Sequence, residues 1–344
     1  MKVVILFICI WVLSVKASCG AGVVHVYNWT EYIPETVIEK FTKETDIQVQ
    51  YSTYDSNEAL YTKLKLLGGH GYDVIVPSSY YIAKMRRDIL LQPLQHSLIP
   101  NIRHVVPDLM NRSYDPENMY SVPYLWGGTG LGYLKSQMSS SEVQSWDVLW
   151  SSENVGKILL QDDMREVFSV ALMRLGYSIN ETNVIKIREA YELVKLLFNN
   201  TGVVNSDSPR EYFVAEDVNV GMLWNGEAFM AQNESTNVGF SWPREGAILW
   251  VDCLAIPANA KNVENAHVFI NFLMRPDVAK EIAEAIGYST PNKAAMKMLA
   301  HDFGDNHVSN PPLDVLQKSE YQKDVGSALA LYEKLWEELK TGEY

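Results

Sequence analysis

At 344 residues the chain is too long for one small core and suits two domains of ordinary size, while 47% hydrophobic and 21% charged residues mark a soluble globular protein. A net charge of −13 excludes a nucleic-acid partner, because phosphate binding rests on a basic footprint that is missing here; an acidic surface attracts small cations instead. No CxxC pair or HExxH motif occurs and the seven histidines show no ligand spacing, so neither a metal site nor a cofactor is expected.

Residues 3 to 13 form one apolar run behind a single Lys2, too short to span a bilayer and matched to the apolar core of a secretory signal. A signal peptide over 1–18 is expected, and its loss removes Lys2 and Lys16 and leaves a net charge of −15. Cys19 follows Ala17 and Ser18 and resembles the lipid-attachment cysteine of a bacterial lipoprotein, although Lys16 departs from the usual apolar residue; plain cleavage after Ala17 or Ala21 is the alternative. Cys9 lies in this leader and Cys19 at its edge, which leaves Cys253 alone in the folded body and no internal disulfide. A lone cysteine in a strand reads as a small buried hydrophobe.

Residues 23–27 alternate as a strand, and Pro34 opens a helix whose apolar face is Val37, Ile38 and Phe41. The intervening stretch therefore sits at the carboxyl end of a strand, where open α/β sheets place their ligands. Trp29, Thr30, Glu31 and Tyr32 offer aromatic faces, a hydroxyl and a carboxylate, a set suited to a cation on an apolar stem. Ordinary core or surface packing accounts equally well for the two rings taken alone.

A second strand over 47–51 and a helix carrying Leu60, Leu64 and Leu67 follow, then a buried-looking strand over 72–76 that ends in a loop with Ser78 and Tyr80. Strands alternating with helices imply a parallel sheet with crossover helices. The cluster Gly127, Gly128, Gly130 is not a phosphate loop, because no Gly-Lys-Ser/Thr follows it, and it reads as a hinge-like crossover into a second domain. There a strand over 157–160 turns into a helix at Asp162 and Asp163. Either acid can be a plain helix N-cap, and Asp163 and Glu166 share one side of the first turn.

Residues 187–198 form an amphipathic core helix, and residues 218–224 a strand that places Trp224 at another strand end before a turn. Residues 247–256 form an apolar strand interrupted by Asp252, which needs a partner inside such a strand. A ligand ammonium, an internal arginine or a backbone cap would each serve. Two helices, a loop over 301–315 and a last helix bearing Leu335, Trp336 and Leu339 complete the chain.

Six blocks resemble one family in order and spacing: Tyr27 to Tyr32, Val76 to Tyr81, Asp162 to Glu166, Met222 to Gly226, Trp250 to Asp252 with 255–260, and Gly287 to Asn292. These are similar to the spermidine/putrescine-binding proteins of bacterial ABC importers, the PotD-like periplasmic binding proteins, over about 23–340. The resemblance implies an α/β fold of two lobes, type II-like, each a mainly parallel sheet flanked by helices, with the ligand cleft between them. It implies a first lobe of 22–127 plus 251–298, a second of 128–250 plus 299–344, and no catalysis.

Carried over by position, the resemblance implies four cation-binding acids at Glu31, Asp163, Glu166 and Asp252. It implies aromatic walls at Trp29, Tyr32, Tyr80, Trp224, Trp250 and Tyr288, and polar contacts at Thr30, Ser78, Ser206 and Gln322. The expected ligand is spermidine, with putrescine bound more weakly because a diamine leaves an acid unpaired. The expected partners are an inner-membrane ABC permease and the membrane only through a lipid anchor, with a monomeric protein in the periplasm. Agmatine, cadaverine or an amino acid are rival ligands, the last requiring an arginine absent from the carried-over set. A glycosidase acid pair fits poorly, since Asp163 and Glu166 share one helical turn.

Overall fold

The computed structural model describes residues 22–342, so the leader and Cys19 lie outside the described residues. The chain begins with β1 (Gly22–Trp29), α1 (Glu35–Thr45), β2 (Ile47–Tyr54), α2 (Asn57–Leu66), β3 (Val74–Ile75) and α3 (Ser79–Arg87). Pro34 precedes α1, which buries Val37 and Phe41 and ends at Asp46 in the left-handed conformation. The Ser56 side chain caps α2 by accepting from the Ala59 N–H.

After the long β4 (Ser121–Leu134) come β5 (Ile158–Leu160), α4 (Met164–Arg174), α5 (Val184–Asn200), β6 (Val203–Val204) and α6 (Pro209–Val214). Then follow β7 (Val220–Trp224), α7 (Asn225–Glu234), β8 (Val238–Ser241), β9 (Ile248–Ala255), α8 (Val263–Leu273) and α9 (Pro276–Ile286). A short β10 (Glu320–Tyr321) and the C-terminal helix Leu329–Thr341 finish the described chain.

Among the described residues the strands form one mixed sheet in the order β2-β1-β3-β9-β4-β7-β5-β6, with β10 on β9 and β8 on β4. The flanks are parallel: β1 pairs in parallel with β2 and β3, and β5 with β6 and β7. Between them β4 and β9 run antiparallel to each other, β4 to β7, and β9 to β3. Two parallel arrays are thus stitched together by two antiparallel strands. The buried apolar residues divide accordingly. One large cluster gathers Val24, Val26, Phe41, Leu64, Ile75 and Phe269; another gathers Leu160, Phe168, Val194, Tyr332 and Leu335. A smaller one holds Phe213, Leu223, Ala228 and Val238.

Three local expectations are corrected and one is refined. The loop expected after residue 76 turns into helix α3 within two residues, because Tyr81, Ile82 and Met85 recur at helical spacing and are buried. The glycine cluster expected as a crossover lies inside β4, which runs from β9 on one flank to β7 on the other, and glycine there also answers a packing demand: a Cβ at Gly127 would fall 2.4 Å from Asn225 Oδ1 and 2.8 Å from the Trp250 ring. The turn after Trp224 is the start of α7, and the loop over 301–315 contains the single-turn helices His301–Gly304 and Leu313–Leu316.

Candidate functional site

Parallel strands send their carboxyl ends one way, and here both flanks aim theirs at one cavity. The end of β1 supplies Trp29, Thr30 and Tyr32, the end of β2 supplies Tyr54, and the segment after β3 supplies Ser78 and Tyr80. From the other flank come Asp163 and Glu166 after β5, Ser206 and Asp207 after β6, and Trp224 and Glu227 after β7. Strand β9 contributes Trp250 and Asp252 from the middle, with Tyr288 and Gln322 completing the wall.

Asp252 takes neither an internal arginine nor a backbone cap as partner. Its carboxylate accepts two hydroxyls, Tyr32 at 2.7 Å and Ser78 at 2.6 Å. Asn57 holds Ser78 in place: its Nδ2 donates to Ser78 Oγ at 3.0 Å and to the Tyr80 hydroxyl at 3.1 Å, and its Oδ1 accepts from the Ser78 N–H. Burial pushes the Asp252 carboxyl up to about 7 against the opposing pull of Ser78 and Tyr32. Two neutral donors do not balance a buried carboxylate as a cation would.

Asp163 is the N-cap of α4, accepting from the Glu166 N–H at 3.0 Å, as the helix-cap reading requires. It also faces the cavity, so one residue does both jobs. Glu166 accepts from Gln322 Nε2 at 3.3 Å. Burial, then the neighbouring Asp163, lifts Glu166 well above the usual carboxylate range; burial likewise raises Asp163, opposed by the Glu166 N–H and Arg165. Asp162 points elsewhere and pairs with Lys340 at 2.7 Å.

Aromatic rings frame these acids. Trp29 meets Trp224 edge-on with ring centroids 6.1 Å apart and tilts against Tyr54 at 4.7 Å. Tyr288 lies edge-on to Tyr32 at 5.2 Å and to Trp250 at 5.3 Å. Trp29 is fixed by its indole N–H, which donates to the Val76 carbonyl at 3.0 Å. Polar atoms of the lining such as Ser206 Oγ and Trp250 Nε1 are buried with no hydrogen-bond partner in the protein. Each such buried group calls for an explanation, and a ligand that supplies the missing partner is one.

Thirteen of the fourteen residues expected in the site line this cavity: Trp29, Thr30, Tyr32, Ser78, Tyr80, Asp163, Glu166, Ser206, Trp224, Trp250, Asp252, Tyr288 and Gln322. Glu31 does not. Held with φ of +53°, it turns toward Arg210 and meets its Nη1 at 2.5 Å. Four lining residues have no sequence expectation behind them: Tyr54, Asn57, Asp207 and Glu227. Tyr54 ends β2, the signal by which Trp29 and Trp224 are found, and Glu227 lies three residues past the end of β7. Burial pushes Glu227 up to about 7, although Arg210 works against it.

No group of acids, histidines or cysteines among the described residues is placed to hold a metal ion. Cys253 is buried, and burial raises its thiol far from reactivity. No helix among the described residues is long and apolar enough to cross a membrane.

Comparison with known proteins places this architecture. The family model described as bacterial extracellular solute-binding protein matches residues 36–307. The chain is 47% identical over 330 residues to the spermidine/putrescine-binding periplasmic protein of Escherichia coli (strain K12), covering 96% of this chain and 95% of that protein. It is 41% identical over 332 residues to the spermidine/putrescine-binding periplasmic protein 1 of Haemophilus influenzae, covering 96% of this chain and 92% of that one. Among solved structures, a putative spermidine/putrescine ABC transporter protein from Listeria monocytogenes superposes with a TM-score of 0.89 at 37% identity, covering 93% of this chain and 99% of that one. With two parallel arrays facing one aromatic, carboxylate-lined cavity and relatives matched along nearly their whole length, the chain belongs to the bacterial extracellular solute-binding proteins.

Proposed function

We propose that this protein is the extracytoplasmic polyamine-binding component of an ABC importer, taking spermidine, and putrescine more weakly, into the cavity between two lobes. The observation that carries the reading is the set of buried carboxylates, Asp163, Glu166 and Asp252, each raised by burial and each facing a cavity walled by tryptophan and tyrosine. Such acids lower their free energy when a cation joins them, and the chemistry of a polyamine is ammonium groups spaced by methylenes. The rings receive the methylenes and the ammonium faces together.

Charge-assisted hydrogen bonds contribute roughly 1.5–3 kcal/mol each and desolvated cation–π contacts about 2 kcal/mol. A few of each, less the cost of immobilising a flexible chain, supports micromolar or tighter binding, about −8 kcal/mol. The lining residues named above form the proposed contact set, with the lobes divided as 22–127 plus 251–298 and 128–250 plus 299–344. The relatives are named as binding proteins, and in this reading the chain captures its ligand without transforming it and hands it to a membrane permease. It acts as a monomer after loss of the leader, tethered through Cys19 if that residue is lipidated.

Calorimetric titration of the leaderless protein with spermidine, putrescine, agmatine and cadaverine tests the reading. Saturable one-to-one heats with spermidine tightest support it. Agmatine or cadaverine binding tighter than either polyamine would reassign the ligand, and heat persisting after saturation would expose an enzyme.

A further inference from the structure

Behind one end of the cavity lies a cation that belongs to the protein. Arg210 stands at the start of α6, its side chain only 10% exposed. Its Nη1 sits between two acids from opposite sides of the cavity, 2.5 Å from Glu31 Oε2 and 3.3 and 3.4 Å from the Glu227 oxygens. Its Nε donates to Glu234 at 2.9 Å. Glu227 lines the cavity, and beside it Thr30 donates to Asp207 at 2.8 Å, so this group closes that end.

A primary ammonium and a guanidinium Nη1 make the same charge-assisted bonds to carboxylates. We propose that Arg210 is an internal counter-ion occupying the seat between Glu31 and Glu227 that a terminal ammonium would otherwise take, and that it thereby narrows the preference for triamines over diamines. The inference rests on the polyamine reading. Two seats stay open to ligand charge, one at the Asp163 and Glu166 pair and one at Asp252; a third ammonium would have to approach the guanidinium, and like charges sharing one pair of carboxylates repel. Arg210 also joins residues from both flanks, and a plain clasp between them would alter the affinity of every ligand by one common factor. A charge seat alters the ratio between ligands.

The experiment measures spermidine and putrescine dissociation constants by calorimetry for the wild type, Arg210→Gln and Arg210→Met, with thermal unfolding to confirm that each variant is folded. The preference for spermidine over putrescine is expected to rise at least about tenfold in both variants, which is about 1.4 kcal/mol. Adding Glu31→Gln to either variant should cancel most of that gain, because it removes half of the freed seat. Arg210→Lys, which keeps the charge, should move the ratio by a smaller factor, and it serves in place of the neutral variants if these do not fold. If both amines change by one factor and the ratio is unmoved, Arg210 is only a clasp and the inference is overturned while the polyamine reading stands. If the wild type binds neither amine, the reading itself falls and the inference falls with it.

Discussion

The Tyr32 hydroxyl lies 2.7 Å from Asp252 Oδ2, joining the loop after the first strand to an acid in the ninth, 220 residues later in the chain. With Ser78 on the other oxygen at 2.6 Å, the carboxylate is oriented into the cavity by two donors that carry no charge. Orientation is fixed and charge is not balanced. That combination is what a cation-binding site needs, and each prediction below follows from it or from the walls around it.

Asp252→Asn keeps the shape and both neighbours while removing the charge. Spermidine affinity should fall at least about tenfold, the cost of about one charge-assisted contact. Calorimetry checks it, and unchanged affinity would remove Asp252 from the site.

Binding should release protons near neutrality. Burial holds Asp252 and Glu227 at about 7 and raises Asp163 and Glu166 in the ligand-free protein, and a bound ammonium pulls a facing carboxyl back down. Protons therefore leave on binding, and affinity should rise with pH through the range up to about 7 and then level off. The same shifts have a consequence for folding without ligand. The folded state holds protons on these acids at a pH where the unfolded chain has lost them, so stability attributable to Asp252 falls as pH rises from about 4 to about 7. Titrations in two buffers of different ionisation enthalpy measure the proton count; equal heats in both would contradict the prediction.

Trp224 lines the cavity edge-on to Trp29 and is partly exposed, so its loss should affect the ligand more than the fold. Trp224→Leu is expected to weaken spermidine binding by about tenfold, one aromatic wall with its cation–π contact, with a near-normal melting temperature. Fluorescence quenching and thermal unfolding measured together separate the two effects.

Gly127 distinguishes packing from hinging. An added methyl meets Asn225 and the Trp250 ring, itself part of the cavity wall, at distances neither can tolerate. Gly127→Ala should cost roughly 1–3 kcal/mol of stability, the usual range for overpacking, and should weaken binding. If Gly127 served chain flexibility alone, the melting temperature would stay put.

Much of this arrangement is legible in the chain. Strands alternating with helices announce parallel arrays, and strand-end positions lead to Trp29, Ser78, Asp163 and Trp224 without any coordinates. Asp252 announces itself as an acid in an apolar strand, but its hydroxyl partners come from residues 174 and 220 positions away and no local pattern reveals them. The glycines of β4 read as flexible from the chain alone because glycine means both freedom and close approach, and the close approach of the Trp250 ring to Gly127 appears only in the fold. Glu31 looks like a ligand acid by position and resemblance; Arg210, 179 residues away, claims it. Side chains from opposite flanks meet here through tertiary folding, and sequence spacing carries no record of that.

The most direct test is a crystal structure of the leaderless protein with spermidine. The account predicts the polyamine extended in the cavity, with ammonium nitrogens within hydrogen-bonding distance, about 2.7–3.2 Å, of Asp252 and of the Asp163 and Glu166 pair, and methylenes lying against Trp29, Trp224 and Trp250. Spermidine seated elsewhere, or those three carboxylates turned away from its nitrogens, would contradict it.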